Sequence, residues 1–274
     1  MAGVEGASRL EAGAIVAPAG AGFTLTNAEA ERIARGVAAG RAKNVSLDPN
    51  TGAVRGASED AVDDGAIAAL MRRHAQWARE RIIEAAPAYA PHLRAGRASL
   101  RTRDAGAPAL SPRKDDRRLH ADAFPSRPTG GERILRVFNN INPDGQARIW
   151  RVGEPFEDYA KRWLSQIRRP WPGEAWLLQR LGVTRGRRTA YDALMLGLHD
   201  RAKLDEAYQR EGPSREVAFA AGSSWMVFTD GVVHAAMSGC FALEQTFYLP
   251  IRGMENQDAS PLRVLERLTG RKLV

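Results

Sequence analysis

A histidine and an aspartate separated by one residue, His120 and Asp122, restrict the possible folds of this chain more than any other feature. In a β-strand, side chains two positions apart point to the same face, so an extended segment would present an imidazole and a carboxylate to one point. The best candidate for a third ligand is His234, 112 residues after Asp122. Two histidines and one carboxylate that leave other positions open form the facial triad of a non-haem Fe(II) site. The chain must therefore bring two distant segments side by side.

A His-x-Asp pair is a weak signal alone, because it occurs by chance in many unrelated proteins. The ordinary alternative is an edge-strand histidine beside a surface aspartate. The context favours a metal site, since residues 118–128 are strand-like, His234 lies in the β-rich half, and helices account for the gap between them. A zinc site would more often contain cysteine or a third histidine in a closed shell, so this set favours an open iron site.

The composition indicates a globular protein with a basic surface. The 274 residues are 44% hydrophobic and carry a formal net charge of +8, with a pI of about 10.1. The length permits one or two domains, and we predict a single domain. The positive charge suggests an anionic partner such as nucleic acid, acidic lipid headgroups or a phosphorylated sugar, and the commoner alternative is a surface whose charge serves only solubility. We expect no nucleic-acid binding, since no helix-turn-helix, zinc finger or aromatic RNA-binding stripe is recognisable.

The location is predicted from segments that the sequence lacks. The start has neither the basic region nor the long apolar run of a signal peptide, and no stretch approaches the roughly 18 apolar residues of a membrane span. The one cysteine, Cys240, permits no intrachain disulfide, which agrees with a reducing compartment. We therefore expect a cytoplasmic protein that can still lie on a membrane surface.

The first third of the chain, residues 1–99, is predicted to be a helical N-terminal part. Residues 1–22 have little periodicity and are expected to be loose. Thr26 and Glu29 form the Thr-x-x-Glu pattern of a capping box, which predicts a helix start. Apolar residues at spacings of three and four predict a longer helix over about 59–86.

The rest of the chain predicts an α+β protein with a core of short strands at 100–250, a helical insertion at about 154–210 and a C-terminal helix within 251–274. Short antiparallel strands that carry a metal site suggest a double-stranded β-helix core, the jelly-roll or cupin-like architecture.

Two turn signals predict hairpins within this core. Segments 132–142 and 147–152 are joined by an Asn-Pro-Asp-Gly turn, and both have strand character. Segments 224–228 and 233–237 are joined by a tight Asp-Gly turn that suits a hairpin.

A non-haem iron enzyme of this kind needs a co-substrate such as 2-oxoglutarate, whose far carboxylate requires a basic or hydroxyl group. This group often lies on the strand after the distal histidine. That strand has no arginine at the expected place; it offers Gln245 and Thr246, and Arg252 follows it. Arg136 and Arg148 of the predicted hairpin are alternatives, since the guanidinium fork binds a carboxylate through two bonds.

The residues around these positions resemble the Kdo hydroxylase family of Gram-negative bacteria, which are Fe(II)/2-oxoglutarate/O2-dependent dioxygenases. The resemblance extends from about residue 10 to 250. It depends on four motifs: LHADAFPSRP at 119–128, RVFNNINP at 136–143, HDRAKLD at 199–205, and His234 followed by ALEQTF at 242–247.

The resemblance implies a single dioxygenase domain that inserts one oxygen atom at carbon 3 of 3-deoxy-D-manno-oct-2-ulosonic acid (Kdo) in the lipopolysaccharide inner core. The products are the 2-octulosonic acid, succinate and CO2. It implies Fe(II), 2-oxoglutarate and O2, with His120, Asp122 and His234 as metal ligands. The implied partner is Kdo-containing lipid A or lipopolysaccharide, with peripheral contact to the anionic inner membrane. Four residues in these motifs are predicted to contact the sugar: Arg127, Asn139, Asn140 and His199.

Two other functions agree with the same residues. The triad would equally serve a 2-oxoglutarate oxygenase that acts on another small molecule or on a protein side chain. A cupin-like sugar- or lipid-binding module without redox chemistry would need neither iron nor 2-oxoglutarate, and His120→Ala would then leave binding unchanged.

Overall fold

The computed structural model describes residues 2–39, 42, 44–63, 65–107, 111–168 and 170–274. Its helices are α1 (Ala2–Glu11), α2 (Asn27–Ala34), α3 (Glu59–Asp63), α4 (Ala66–Ala85), α5 (Phe156–Trp163), α6 (Glu174–Arg180), α7 (Ala190–Leu204), α8 (Glu206–Glu211) and α9 (Pro261–Thr269). Its strands are β1 (Val45–Leu47), β2 (Val54–Arg55), β3 (Arg94–Arg101), β4 (Arg133–Asn140), β5 (Arg148–Pro155), β6 (Ser214–Phe219), β7 (Ser224–Phe228), β8 (Val232–Ser238) and β9 (Ala242–Leu249).

Two antiparallel sheets form the β part of the described chain. The larger has the strand order β2-β1-β3-β9-β4-β7 and the smaller has the order β6-β5-β8. An isolated bridge between His120 and His234 adds one more extended segment beside β8. From β3 onward the chain passes repeatedly from one sheet to the other, so most consecutive strands lie in different sheets. The chain is therefore an α+β protein with antiparallel sheets.

Strand β4 illustrates how the layers are built. Leu135 and Val137 pack with α1 and α4 on the outer face of the larger sheet. Phe138, on the other face, packs between the sheets with Trp150 of β5 and Trp225 of β7. Because both faces of β4 are covered, apolar residues point to both of them, and the sequence does not alternate strictly between apolar and polar residues.

The helical insertion and α9 cover the outer face of the smaller sheet. Val233 and Ala235 of β8 pack there with Tyr159 of α5 and Leu265 of α9. Successive side chains of a strand point to opposite faces, so His234 between them points into the space between the sheets. In the part of the chain that the structure describes, no helix combines the length and apolarity that crossing a bilayer requires.

Both predicted hairpins are wrong. Strand β4 pairs with β7 and β9, whereas β5 pairs with β6 and β8. Likewise β7 belongs to the larger sheet and β8 to the smaller. Each turn carries the chain across the core to the other sheet, because the strands on either side bury their inner side chains in the same interior.

The helix boundaries also differ from the predicted ones. Residues 1–22 are not uniformly loose, because α1 buries Ala7 and Leu10 against α4. Tertiary packing thus stabilises a helix whose own periodicity is weak. The capping box at α2 is confirmed. The helix predicted over about 59–86 is interrupted near Gly65, which has a left-handed φ of 65°.

Candidate metal centre

Three buried side chains meet on the inner side of the smaller sheet: His120, Asp122 and His234. One ligand atom of each, an imidazole nitrogen or a carboxylate oxygen, lies within 4.8 Å of the other two. The backbone sets this arrangement, since the His120 N–H donates to His234 O at 3.0 Å and the His234 N–H donates to His120 O at 2.9 Å. The Asp122 N–H donates to Thr229 O at 2.8 Å, which holds the carboxylate beside the rings. The fold brings together the three residues selected from the sequence.

Hydrogen bonds of the two imidazoles determine which nitrogen faces the centre. His120 Nδ1 lies 2.7 Å from Arg118 O, and His234 Nδ1 lies 2.8 Å from Val232 O. A carbonyl oxygen only accepts, so each Nδ1 carries the proton and each Nε2 keeps a lone pair for a metal. The indole of Trp150 stacks on the His234 ring with 5.0 Å between centroids, which restricts its rotation.

Burial and neighbouring charges give the three groups the ionisation states of metal ligands. Burial lowers the pKa of His120 to about 3 and lowers that of His234, so both rings are neutral near pH 7. Burial opposes ionisation of Asp122, but Arg136 and the two histidines hold the pKa of its carboxyl well below its usual range. The centre therefore offers two neutral nitrogen donors and one anionic oxygen donor.

This donor set fits a divalent iron ion. Asp122 Oδ2 is buried and accepts no hydrogen bond in the described chain, although Arg136 Nη2 lies 3.3 Å away. A buried carboxylate oxygen without a hydrogen bond, beside two histidines with free Nε2 lone pairs, is a group that a metal ion satisfies. Two histidines and one carboxylate leave the other positions of an octahedral ion open.

A cavity of about 300 Å³ opens beside the centre. Its wall contains the three candidate ligands and the rings of Phe138 and Trp150. His199 also lines it, with its ring edge-on to that of His120 at 5.2 Å. The basic side chains of the wall are Arg101, Arg113, Lys114, Arg136, Arg148 and Lys203. A small organic anion would find both apolar surface and positive charge here.

Two of these arginines are held by buried carboxylates. Arg136 lies 3.2 Å from Glu244 in addition to its contact with Asp122. Arg101 lies 2.8 Å from the same Glu244 and 3.2 Å from Asp116. The guanidinium of Arg136 is thus fixed behind the candidate metal ligands, with its charge largely balanced by the protein.

Arg148 is a buried cation of the cavity wall that has one hydrogen bond to the described chain. Its Nη1 donates to Gly239 O at 2.8 Å, and its Nε finds no acceptor in the described chain. Burial, together with the charge of Arg101, lowers the pKa of Arg148 to about 10, which leaves it protonated near pH 7. Among the described residues no carboxylate lies within ion-pair distance of it. Its charge is available to a carboxylate ligand.

The other predicted 2-oxoglutarate contacts lie outside the cavity wall. Gln245 points away from it, and its amide donates to a backbone carbonyl of β3 at 3.1 Å. Thr246 is buried opposite Arg136 in the β4–β9 ladder but does not line the cavity. Arg252 is exposed in the short turn after β9. Side-chain alternation along β9 directs Gln245 away, and the strand ends before Arg252 can reach the centre.

Of the four predicted sugar contacts, one, His199, lines the cavity. Asn139 is buried on β4 and lies 2.7 Å from Nε2 of His74. Asn140 donates to two backbone carbonyls at 2.8 Å and 3.0 Å, where the chain leaves β4. Arg127 lines a different pocket on the surface. Both asparagines hold the fold together, because their amides are already engaged by it.

Arg101 and Trp150 line the cavity and Glu244 supports it, but none of the three was predicted from the sequence. A signal for Glu244 existed, since a charge inside the apolar strand β9 requires a buried partner. Its partner is Arg101, which ends β3 and lies in the neighbouring strand. The pairing of β3 with β9 cannot be predicted from the local sequence, so the ion pair between Arg101 and Glu244 could not be predicted either.

Comparison with known proteins identifies the family. The family model described as 3-deoxy-D-manno-oct-2-ulosonic acid (Kdo) hydroxylase matches residues 3–272. The chain belongs to the Kdo hydroxylase family. The resemblance inferred from the four sequence motifs is thereby confirmed.

Solved structures of the Kdo hydroxylase KdoO, a non-heme Fe(II) alphaketoglutarate dependent dioxygenase, are similar to this chain over its whole length. The complex with alphaketoglutarate and Fe(III) is 41% identical, with a TM-score of 0.93, and the match covers 100% of this chain and 92% of that chain. The complex with cobalt(II) is 42% identical, with a TM-score of 0.94 and the same coverage. The complex with succinate and Fe(III) is 40% identical, with a TM-score of 0.93 and the same coverage. Among curated protein sequences none matches.

Proposed function

We propose that this member of the Kdo hydroxylase family is an Fe(II)/2-oxoglutarate/O2-dependent dioxygenase that hydroxylates carbon 3 of a Kdo sugar. The sugar belongs to lipid A or the lipopolysaccharide inner core, and the products are the 2-octulosonic acid, succinate and CO2. The observation that carries this proposal is the buried set of His120, Asp122 and His234 on the wall of a basic cavity. The KdoO complexes with Fe(III), alphaketoglutarate and succinate support the same cofactor and co-substrate here.

The roles of the residues follow from their chemistry. His120, Asp122 and His234 would hold the iron, which would supply O2 activation and a template for the reacting molecules. Arg148 would bind the far carboxylate of 2-oxoglutarate through paired hydrogen bonds. Trp150 orients the His234 ring and covers this end of the cavity with apolar surface.

His199 is the proposed sugar contact of the cavity. Its Nδ1 lies 2.9 Å from a carboxylate oxygen of Asp200, so Nδ1 carries a proton and is engaged. Its Nε2 is therefore the polar atom that remains for a substrate hydroxyl or carboxylate. The His199 ring lies 5.2 Å from the His120 ring between centroids, which puts it beside the candidate metal centre.

We also propose that the core is a double-stranded β-helix of the jelly-roll or cupin-like type, within one dioxygenase domain of residues 1–274. Four neighbouring strands of the larger sheet, β3-β9-β4-β7, belong to one layer. The opposite layer consists of the His120 segment, β8, β5 and β6. Eight antiparallel segments in two facing layers agree with that architecture.

The acceptor is a lipid, and one surface of the protein suits a membrane. Trp171, Trp176 and Leu181 are exposed around α6, and Arg180 and Arg187 lie among them. Tryptophan and arginine favour the interface of an anionic bilayer. We therefore propose a cytoplasmic protein in peripheral contact with the inner membrane. In sedimentation with anionic vesicles at low salt, Trp176→Ser should reduce the bound fraction, and undiminished binding would contradict this assignment.

The activity is tested by succinate release from anaerobically purified, Fe(II)-loaded protein supplied with 2-oxoglutarate, O2 and Kdo2-lipid A. We expect acceptor-stimulated succinate and a product heavier by one oxygen atom, both lost in His120→Ala and both kept in the control His92→Ala. Iron and 2-oxoglutarate binding without stimulation would keep the oxygenase and reject the Kdo acceptor. Failure to bind iron would instead favour a binding module without redox chemistry.

A further inference from the structure

A second pocket, of about 210 Å³, lies on the surface apart from the metal cavity. Its basic side chains are Arg94, Arg97, Arg127 and Arg185, and its acidic side chains are Asp48 and Glu132. Tyr248 of β9 also lines it. Four guanidinium groups around so small a space form a concentrated positive charge.

The protein balances half of that charge. Arg94 lies 2.5 Å from Glu132, and Arg97 lies 3.5 Å from Asp48. Among the described residues no carboxylate forms an ion pair with Arg127 or Arg185. Two guanidinium groups therefore remain for an outside anion.

Arg127 lies close to like charges. It is half-buried, and burial together with Arg97 and Arg185 lowers the pKa of its guanidinium. A solvated surface arginine ordinarily extends away from other cations, since like charges repel. A fold that holds unpaired arginines together, and partly removes one from water, accepts a cost that a bound anion would offset.

Tyr248 lines the second pocket and lies within electrostatic range of Arg136, a cation of the metal cavity. Burial raises the pKa of this phenol, while the positive charges of Arg136, Arg127 and Arg94 act in the opposite direction. The guanidinium of Arg94 lies over the Tyr248 ring, 4.6 Å from its centroid. Arg136 lines the metal cavity, and Arg127 and Arg94 line the second pocket. The Tyr248 ring packs against Gly96, where a Cβ would lie 2.9 Å from the ring. Residues 122–125 line the metal cavity and residues 127–129 line the second pocket, so one segment of the chain borders both spaces.

The chain path also connects the two spaces. Arg127 follows the ligand Asp122 by five residues in the same segment. The Arg185 N–H donates to Ser126 O at 2.9 Å, which ties the loop between α6 and α7 to that segment. One molecule with two anionic groups could thus reach both spaces.

We propose that this basic pocket is a second substrate subsite, which binds another anionic group of the acceptor while the reacting sugar lies in the metal cavity. The proposal rests on the proposed function, because it takes the acceptor to be a Kdo-bearing lipid. The group is an oxyanion, either a phosphomonoester or the carboxylate of a neighbouring sugar. Arg127 and Arg185 would bind it through charge-assisted hydrogen bonds, for which the guanidinium fork is well suited.

The test compares Fe(II)-loaded wild type with Arg127→Gln, Arg185→Gln and the double variant. Arg215→Gln is the matched control, since Arg215 is an exposed arginine on β6 that lines neither pocket. With Kdo2-lipid A, we expect KM for the acceptor to rise about tenfold in each single variant and further in the double variant. Values of kcat, and succinate formation without acceptor, should stay within about twofold of wild type.

Two further acceptors distinguish the sources of the oxyanion. One lacks the phosphates, and the other carries a single Kdo residue. If the pocket binds a phosphate, the effect of the variants should disappear with the dephosphorylated acceptor; if it binds a sugar carboxylate, it should disappear with the single-Kdo acceptor. The subsite proposal would be overturned if both arginine variants had the same kinetic constants as Arg215→Gln with every acceptor.

Direct binding separates this proposal from the proposed function. Equilibrium binding of detergent-dispersed Kdo2-lipid A at low salt should weaken about tenfold in Arg127→Gln and remain unchanged in Arg215→Gln. If wild type binds with this pattern but shows no acceptor-stimulated succinate, the hydroxylase assignment fails and the pocket stands. If all proteins bind equally, or wild type does not bind, the subsite is refuted.

Discussion

Of the arginines predicted from the sequence to bind the far carboxylate of 2-oxoglutarate, Arg148 is the one whose position and charge suit that role. Arg148 is buried on the cavity wall and donates to one backbone carbonyl, whereas Arg252 is exposed beyond the end of β9. Arg136 lies on the wall too, but Asp122 and Glu244 already neutralise it. Charge that the protein has not balanced is what a ligand carboxylate can use.

Replacing Arg148 by glutamine should therefore raise KM for 2-oxoglutarate by about tenfold to a hundredfold. The reason is that a hydrogen bond to a charged group is worth about 1.5–3 kcal/mol. Iron binding should persist, because Arg148 is not among the candidate ligands. Succinate assays over a range of 2-oxoglutarate concentrations measure the effect, with Arg252→Gln as the matched control. A larger effect in the control would reverse the assignment.

His74 is a buried histidine that stabilises the core without lining the metal cavity. It is fully buried beside Phe23 and Trp77, and its Nε2 lies 2.7 Å from Asn139. Burial lowers the pKa of His74 to about 4, although the bond to Asn139 acts in the opposite direction. The folded protein thus keeps this ring neutral at pH values where an unfolded chain would protonate it.

Acid should therefore weaken the fold through His74. Between pH 6.5 and 4 the unfolded state binds a proton that the folded state does not, so the free energy of unfolding falls by about 1.4 kcal/mol per pH unit, roughly 3 kcal/mol in total. His74→Gln removes this titration, and its free energy of unfolding should depend less on pH over that interval. Urea unfolding of both metal-free proteins from pH 7 to pH 4 measures the difference. If the free energies of unfolding of both proteins changed with pH in parallel, His74 would not be the cause of the pH dependence.

Helix α9 supports the candidate metal centre from outside the smaller sheet. Leu262 and Leu265 are buried in the cluster that contains Val233 and Ala235, the residues on either side of His234. Ser260 is the N-cap of this helix, since its Oγ accepts a hydrogen bond from the Arg263 N–H at 3.3 Å. Apolar packing on one face of β8 thus stabilises the histidine on the other face.

Leu265→Ala should lower the free energy of unfolding by about 2–5 kcal/mol, because it leaves a cavity in a fully buried cluster. Leu268→Ala in the same helix is the control and should cost less, since Leu268 is partly exposed. Denaturant unfolding of the two variants gives the comparison. Equal losses would mean that burial in this cluster is not what stabilises α9.

The two ends of the chain meet at one buried carboxylate. Glu11 in α1 accepts hydrogen bonds from the Tyr89 hydroxyl at 2.7 Å and from the backbone N–H groups of Glu255 and Asn256 at 2.9 Å and 2.6 Å. These contacts join the first helix, the short turn after α4 and the segment before α9. A helix that looks weak in sequence is thereby held in place by partners far along the chain.

Glu11→Gln should lower the free energy of unfolding by about 1–3 kcal/mol, because the neutral amide accepts less strongly and leaves a buried donor unpaired. Glu5→Gln, an exposed change in the same helix, should have little effect. Thermal unfolding of both variants measures the difference in stability. Hydrogen exchange shows whether α1 and the segment before α9 open more readily in the Glu11 variant. A Glu11 variant as stable as Glu5→Gln would contradict the proposed tie.

Local patterns were sufficient for two of the candidate metal ligands, His120 and Asp122, and for the class of fold. The alternation of side chains in an extended segment brings His120 and Asp122 to one face, and this geometry needs no knowledge of other strands. Helix periodicity and capping likewise depend on neighbours within a few residues, as at Thr26. The four motifs were long enough to indicate the family, which the comparison confirmed.

The tertiary structure alone decided which strands are partners and which charges are balanced. The turns after β4 and β7 look like hairpin turns locally, yet burial of both flanking strands in one interior sends the chain to the opposite sheet. The availability of Arg148, the engagement of Arg136 and the separate pocket of Arg127 all depend on contacts between residues far apart in sequence. Such contacts are set by packing of the whole chain, and no local pattern of residues encodes them.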